Sequence, residues 1–387
     1  TWAMIYGLSR WCDFFTPRQA LLLATFAKHL NRQGQAESNA EIPDFGMAIQ
    51  SCLALALGRQ ADALSSCVTW TPGGEFQGHT FARQALPFVW DFAEVNPLSD
   101  SSGCWAGAVE WVAKVCESGF QQDASATCRQ STATAHPLPD DSAHGVVTDP
   151  PYYDAVPYAY LSDYFHVWLR RVLARVHPDL FRRPLVPKDE EIVVDRAHEL
   201  SDSTHDLAYY ERELGRAFSE CRRVLRPDGV GTIVFASKTT ASWEAILAAV
   251  VESGWTITAS WPVDTEREAR VSAQGQARLG SSVHLVCRPR EAPDGSVRTD
   301  DVADWKAVLA ELPKRIGEWM PRLTAEGVVG ADAIFACLGP ALEIFSRYSR
   351  VEKASGEVVT LKEYLEHVWA AVAKEALSMI FADPETS

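Results

Sequence analysis

The spacing of apolar residues along the chain predicts a helical first third, followed by alternating strands and helices. Apolar positions recur at helical intervals over residues 1–35, 43–70 and 105–115. A further helix is predicted over 82–93, although Pro87 interrupts it. Beyond this part of the chain, short apolar runs typical of buried strands alternate with amphipathic helical stretches.

The second part of the chain carries four predicted strands. They are expected at 145–147, 231–237, 255–263 and 281–287. Helices are expected between and around them at 161–171, 209–225 and 243–252. A repeated order of strand, helix and strand implies parallel crossovers and a doubly wound α/β sheet.

A polar linker then leads to further predicted helices near 302–318, 332–348 and 361–381. The pattern therefore predicts three regions. They are a mostly helical region over 1–124, a catalytic core over 125–290 and a C-terminal helical region over 291–387.

The first strand of this core runs into the sequence Thr148-Asp149-Pro150-Pro151-Tyr152. The strand has to end at Asp149, because the two prolines cannot donate a hydrogen bond to a neighbouring strand. In open α/β sheets ligands bind beyond the carboxyl ends of the strands, so the Asp149 carboxylate is expected to face a crevice. Carbonyl oxygens held by the rigid prolines would join it as hydrogen-bond acceptors. The motif is therefore the predicted active site, and the alternative is a Pro-Pro pair that only ends an edge strand.

Composition narrows the partners that this site can have. The formal net charge of −15 disfavours broad wrapping of nucleic acid, so any DNA contact has to be local or shared with another chain. The nine cysteines are scattered without a C-x-x-C pair, so we expect neither a zinc site nor a disulfide framework. The sequence has no apolar run of membrane-spanning length and no secretory pattern, so we expect a soluble, cytoplasmic protein without a membrane partner.

The sequence Asp149-Pro150-Pro151-Tyr152 at a strand end resembles the catalytic motif of DNA amino-methyltransferases. These enzymes use S-adenosylmethionine to methylate adenine N6 or cytosine N4. The strands predicted at 231–237, 255–263 and 281–287 are similar to the second half of the Rossmann-like class I methyltransferase sheet. The resemblance therefore implies an α/β fold that contains at least part of this sheet. Extra helical regions are expected at both ends of the chain.

Further segments are similar to a large bacterial and archaeal family of adenine-specific DNA methylases. They are residues 15–19, 79–84, 90–94, 148–154 and 346–348. The resemblance covers nearly the whole chain, but only the C-terminal part of a family member. We therefore expect a fragment that lacks the family's N-terminal domain of unknown function, and a first residue that is Thr without a leader favours this expectation.

The resemblance implies a catalytic role for Asp149, Pro150, Pro151 and Tyr152. Asp149 and the Pro150 carbonyl would accept the two hydrogens of the exocyclic amine, and Tyr152 would stack on a base flipped out of the duplex. A second set of residues is predicted to bind the substrate. It consists of Tyr153, Phe165 and Trp168. The alternative for the last two is the core, where aromatic pairs at helical spacing usually lie.

The predicted contacts to S-adenosylmethionine are Phe15, Thr16, Pro17 and Thr148. Thr16 is a typical N-cap followed by proline at the first helical position, and free N–H groups at such an end can hold a carboxylate. The alternative is an ordinary capped helix.

A glycine-rich cofactor loop between a strand and a helix is missing from the sequence. The one Gly-x-Gly, at 229–231, follows a helix and enters a strand, so we interpret it as a turn. The loop is therefore expected on an upstream segment or on a separate chain.

The leading hypothesis is an adenine-N6 DNA methyltransferase, or its catalytic half, that serves host modification or defence. Adenine is favoured because the motif begins with Asp rather than Ser. A second hypothesis is a non-catalytic scaffold subunit, because the cofactor loop is missing and the chain is acidic. A third keeps the chemistry and changes the acceptor to cytosine N4, RNA or a protein amide.

Overall fold

The computed structural model of the protein describes most of the chain. The described residues are 6–37, 43–82, 85–119, 127–152, 156–194, 205–236, 240–264, 281–292, 294–328 and 331–382. The chain forms two compact units, one from residues 1–128 and 156–191, the other from residues 129–155 and 192–387. This division cuts the chain differently from the three regions predicted above. The strands and the C-terminal helices share the second unit, and the helix that follows the Pro-Pro motif belongs to the first.

Helices make up most of the first unit. After a 3₁₀ turn at Trp11–Phe14 come α1 (Pro17–Glu37), α2 (Pro43–Ala63), the short strands β1 (Trp70–Thr71) and β2 (Phe76–Gln77), α3 (Trp105–Gly119), α4 (Tyr158–Leu173) and α5 (Pro178–Phe181). Tyr164 of α4 lies at the centre of their core, fully buried. Its hydroxyl donates to the Ala61 carbonyl over 2.7 Å, so the polar end of the ring is satisfied inside the core.

The helix predicted over 82–93 is wrong for the described residues 85–93, which contain none. Pro87 lacks the N–H that an interior helical residue donates. The Ala93 N–H instead donates to the Val68 carbonyl over 3.2 Å, which holds this segment against the residues that follow α2.

The second unit contains a mixed four-stranded sheet and the helices that cover it. Its elements are β3 (Ala143–Thr148), α6 (Leu207–Val224), β4 (Leu225–Phe235), α7 (Thr240–Glu252), β5 (Trp255–Asp264), β6 (Ser281–Pro289), β7 (Val302–Asp304), α8 (Trp305–Ala325), α9 (Ala331–Ala336), α10 (Leu338–Ser346), β8 (Arg350–Glu352) and α11 (Leu361–Ala382). The strand order is β3-β4-β6-β5, and β7 pairs with β8 separately.

The strand directions confirm an α/β fold. β3 and β4 are parallel, and β4 and β5 both run antiparallel to β6, so β4 and β5 point in the same direction. The three strands that the sequence joins through helices therefore share one direction, as the predicted crossovers require, and β6 runs opposite to them. A parallel crossover usually carries a helix, and the sequence between β5 and β6 shows no helical pattern, which was the signal for an antiparallel return.

One face of the sheet is tightly packed by α6 and α7. Trp255 of β5 is 1% exposed, and its indole N–H donates to the Phe218 carbonyl of α6 over 3.0 Å. A Cβ added to Gly231 of β4 would lie 2.6 Å from the Trp255 ring, so this position needs glycine. The ring lies close to the β4 backbone because no side chain separates them.

The outer strand β3 is less buried than its apolar sequence predicts. Val146 packs against the core, but Val147 is 78% exposed. The expectation of a buried strand over 145–147 is therefore wrong, because Gly145 and Val147 are exposed and Val146 is only partly buried. β3 stands at the edge of the sheet, and the described residues leave the face that carries Val147 open.

Arg290 connects the sheet to the ends of two helices from within the core. This side chain is 5% exposed and donates to the carbonyls of Ser346, Tyr348 and Val251 at 3.1, 2.7 and 3.2 Å. Val251 and Ser346 lie in the last turns of α7 and α10, where a cation also interacts favourably with the helix dipole.

We therefore expect Arg290→Met to lower the free energy of unfolding by about 3 kcal/mol, because three buried carbonyls lose a charged donor. Chemical denaturation measures this change. The control is Arg350→Met, which removes an exposed pair with Glu352 and should cost less than about 1 kcal/mol. Equal losses in the two variants would contradict the role assigned to Arg290.

Candidate active site

The Pro-Pro motif begins where β3 ends, as the sequence predicts. Thr148 is the last residue of the strand and pairs with Ile233 of β4. Asp149 is exposed, Pro150 is buried, and Pro151 and Tyr152 are half-buried. Burial of the prolines holds the backbone while the Asp149 carboxylate stays accessible to a ligand.

Two contacts with the rest of the second unit fix the motif. The Tyr210 hydroxyl of α6 donates to the Pro151 carbonyl over 2.7 Å. Burial raises the pKa of Tyr210, so the hydroxyl remains a neutral donor. The Tyr152 ring meets Phe235 edge to face with centroids 5.0 Å apart, and Phe235 meets Trp243 in the same way at 4.9 Å. The motif thus joins the aromatic part of the core.

The two acceptors that the sequence assigns to an amine are not engaged within the described structure. No described residue donates a hydrogen bond to the Asp149 carboxylate or to the Pro150 carbonyl. The adjacent Pro151 carbonyl, in contrast, is taken by Tyr210. The arrangement therefore leaves the exposed Asp149 carboxylate available for a donor from outside the chain.

The segment that leads into β3 is held by the last turn of α6. Arg223 donates to the carbonyls of His136 and Leu138 at 2.9 and 3.1 Å, and the His136 N–H donates to Glu220 over 2.8 Å. The Arg223 guanidinium, together with this N–H, lowers the pKa of the Glu220 carboxyl. α6 therefore contacts the chain on both sides of β3, here and at Pro151.

The bond between Tyr210 and Pro151 can be tested by removing one oxygen atom. We expect Tyr210→Phe to lower the free energy of unfolding by about 1 kcal/mol and to speed amide hydrogen exchange at Tyr152. Tyr364→Phe is the matched control, because the buried Tyr364 hydroxyl donates to the Ala341 carbonyl away from the motif. The control should lose similar stability without the local change in exchange. Unchanged exchange in Tyr210→Phe would show that this bond does not hold the motif.

The other predicted site residues divide between the two units. Thr148 lies in the second unit with the motif, and Tyr153 lies outside the described residues. The remaining predicted residues belong to the first unit: Phe15, Thr16, Pro17, Phe165 and Trp168.

Packing in the first unit favours the core interpretation of its aromatic residues. Phe15 and Trp168 are 8% and 7% exposed and meet edge to face with centroids 5.3 Å apart. Phe165 is partly buried and contacts Phe81 and Tyr164 at 5.3 and 5.2 Å. A role for these rings in substrate or cofactor binding stays a prediction.

The helix start at Thr16 and Pro17 is confirmed as a capping box. The Gln19 N–H donates to Thr16 Oγ1 over 3.2 Å, and the Thr16 N–H donates to Gln19 Oε1 over 2.8 Å. The Thr16 hydroxyl also bonds Glu94 at 3.2 Å. These groups are thus bonded within the chain, which favours the ordinary capped helix, and a cofactor role stays a prediction.

The Gly-x-Gly at 229–231 lies within the span of β4, at an irregularity in its pairing with β3. Ala143 pairs with Leu225 and Gly145 with Val230, so residues 226–229 bulge out of the ladder, whereas Gly231 is in register with Val146. The segment does not lie between a strand and a helix, where a cofactor loop is expected. Sequence reasoning also missed Tyr210, which occupies an unremarkable core position of an amphipathic helix. Only the fold shows that its hydroxyl reaches a carbonyl 59 residues away.

Other features of the described residues bear on the class of protein. All nine cysteines are free thiols. The described part of the chain contains no group of three or more His, Cys, Asp or Glu that could hold a metal ion. None of its helices is both long enough and apolar enough to cross a membrane.

Comparison with known proteins does not assign the chain to a family. It matches no family model, and neither a curated protein nor a solved structure shows significant similarity to it.

Proposed function

We propose that the chain is the amine-binding part of an S-adenosylmethionine-dependent DNA methyltransferase that acts on adenine N6. One observation carries the proposal. Asp149, Pro150, Pro151 and Tyr152 follow directly on a strand, with the Asp149 carboxylate and the Pro150 carbonyl unengaged and the next carbonyl fixed by Tyr210.

The order of the sheet supports a Rossmann-like class I methyltransferase fold. In that fold the last strand runs antiparallel to its neighbours, and it lies in the sheet between the two strands that precede it in the sequence. Here β6 lies between β4 and β5 and is antiparallel to both. The open edge at β3 and the exposed Val147 are what we expect where further strands and helices would complete such a sheet.

The proposed chemistry uses the two acceptors on the amine. An exocyclic amine on adenine is a weak nucleophile, because its lone pair is delocalised into the ring. Hydrogen bonds from its two N–H groups to Asp149 and the Pro150 carbonyl favour the pyramidal nitrogen and stabilise the positive charge that develops on it. Each such charge-assisted bond contributes roughly 1.5–3 kcal/mol, and it raises the rate to the extent that it forms only in the transition state.

The described residues do not fit the whole cofactor. No described segment places a glycine-rich loop between a strand and a helix, and the only Gly-x-Gly lies within β4. We therefore propose that the cradle for S-adenosylmethionine comes from an upstream segment or from a separate chain. DNA contacts are proposed to be local, because the net charge of −15 opposes extensive binding to phosphates.

The test uses the protein at its full encoded length. The protein is incubated with methyl-labelled S-adenosylmethionine and unmethylated DNA, and the DNA is digested to nucleosides for mass spectrometry. We expect N6-methyladenine. Label on cytosine N4, RNA or protein would keep the reaction and change the acceptor, whereas no transfer to any of the four would reject the catalytic proposal.

A non-catalytic scaffold is the second candidate, and the missing cofactor loop favours it. Calorimetry tests the scaffold at the level of binding. S-adenosylmethionine bound by this chain alone would contradict it.

A further inference from the structure

Two of the nine cysteines meet where helices α2 and α3 of the first unit pack together. Cys52 lies near the middle of α2 and Cys116 in the last turn of α3, and their Sγ atoms are 3.9 Å apart. At this distance either thiol can donate a weak hydrogen bond to the other. This is the one pair of cysteines in the described residues that bonds in this way. The fold thus brings together two thiols that are 64 positions apart in the sequence.

The surroundings of the pair are apolar. Both thiols line a cavity of about 300 Å³, and the rest of its lining consists of apolar side chains of α2 and α3 that include Phe45, Ile49 and Val112. The described residues give neither sulfur a further hydrogen bond, and the pair belongs to no described group of three or more His, Cys, Asp or Glu. Within the described structure each thiol therefore has the other as its polar partner.

The distance between the two sulfurs is short enough for a covalent bond to form with little rearrangement. A disulfide joins sulfurs about 2.05 Å apart, so the two Sγ atoms have to approach each other by about 1.9 Å. Rotation of a cysteine side chain to another staggered position about its Cα–Cβ bond moves the sulfur further than this. The cavity beside the pair offers space for the rotation. Both side chains are also partly exposed, so a small oxidant can reach them.

We propose that Cys52 and Cys116 form a reversible disulfide by exchange with a low-molecular-weight disulfide such as oxidised glutathione, and that this bond links α2 covalently to α3. The bond is independent of the proposed methyltransferase function, because both cysteines lie in the first unit and the Pro-Pro motif lies in the second.

The exchange takes two steps. Burial raises the pKa of the Cys52 thiol, so the first attack is expected from Cys116. The Cys116 thiolate attacks one sulfur of oxidised glutathione, forms a mixed disulfide and releases one glutathione thiolate. The Cys52 thiolate then attacks Cys116 Sγ and releases the second glutathione, a step that is favoured because it occurs within one molecule. Two protein thiols are oxidised, one glutathione disulfide is reduced, and the two protons go to the released glutathione.

Peptide mapping of the oxidised full chain tests the proposal. The folded protein is treated with oxidised glutathione until Cys128 is fully modified, the remaining thiols are alkylated, and the peptides are identified by mass spectrometry. We expect Cys52 and Cys116 to be joined to each other, and dithiothreitol to restore both thiols. The exposed Cys12 and Cys128 are internal controls, because neither bonds to another described cysteine, and both should carry glutathione. Free thiols or glutathione at both members of the pair would overturn the proposal.

Thermal melting of variants tests the link between the helices. We expect oxidation to raise the Tm of the wild type by about 5 °C or more, because the bond restricts a long loop of the unfolded chain. Cys52→Ala and Cys116→Ala should each lose this rise, and the remaining thiol of Cys52→Ala should carry glutathione. Cys104→Ala is the matched control and should keep the rise, because Cys104 is also partly exposed but its sulfur accepts from the Gly107 N–H over 3.3 Å. No rise in the wild type, or a rise that survives in Cys52→Ala, would refute the link.

Discussion

Under the proposed function, replacing Asp149 by alanine is expected to lower the rate of DNA methylation by about a hundredfold, with little change in stability. The carboxylate is exposed and accepts no hydrogen bond from the described residues. The free energy of unfolding should therefore stay within about 0.5 kcal/mol of the wild type. Asp149→Asn should lose less activity, because its amide oxygen can still accept one hydrogen from the amine.

The measurement is a single-turnover assay of methyl transfer by the full-length encoded protein, which separates the chemical step from product release. Asp228→Ala is the matched control, since this aspartate is 73% exposed in its side chain and pairs only with Arg226 on the surface. The control should retain the wild-type rate. An Asp149→Ala protein that methylates DNA at the wild-type rate would exclude Asp149 from the chemistry.

The helices of the second unit could be predicted because the pattern that defines them is local. Helices predicted at 209–225 and 361–381 lie at Leu207–Val224 and Leu361–Ala382. An apolar stripe with a period near 3.6 residues records which side of each helix faces the core. The prediction of a helix over 82–93 did not rest on such an uninterrupted stripe, because Pro87 lies inside the segment and opposes a helix there.

The positions of the strands and the shared direction of those joined by helices were predictable, whereas the order of the strands in the sheet was not. The strand predicted at 255–263 lies at Trp255–Asp264. It pairs with β6 and not with β4, and strand composition does not encode this choice of neighbour. The exposure of Val147 was missed for a similar reason, because an apolar residue does not show whether its strand is central or at an edge.

In the candidate site, too, local features could be predicted from the sequence, whereas contacts between distant residues could not. Two prolines after a strand are enough to predict where β3 ends and where Asp149 emerges. The bond from Tyr210 to Pro151 joins residues that meet only after the sheet has formed. The acceptors of the site are thus visible in the sequence, but the contacts that hold them in place are not.

The close approach of α10 to β5 makes Gly339 the position where one methyl group should be most damaging. A Cβ on Gly339 would lie 2.2 Å from both the Ala259 carbonyl carbon and the Ser260 nitrogen. The Gly339 N–H donates to Ser260 Oγ over 2.7 Å, and that hydroxyl donates to the Ala336 carbonyl over 2.7 Å. Helix and strand backbones therefore touch with no flexible side chain between them that could move aside.

We expect Gly339→Ala to lower the free energy of unfolding by about 3 kcal/mol, because α10 has to move away from the strand and the bonds through Ser260 are lost. Gly317→Ala in α8 is the control, because the nearest atom to its added methyl group is a Glu375 carboxylate oxygen at 3.8 Å. Alanine there should stabilise the helix by up to about 1 kcal/mol. Urea denaturation of both variants measures the two effects, which have opposite signs. A Gly339→Ala protein as stable as the wild type would mean that α10 can move away from β5 without a loss of stability.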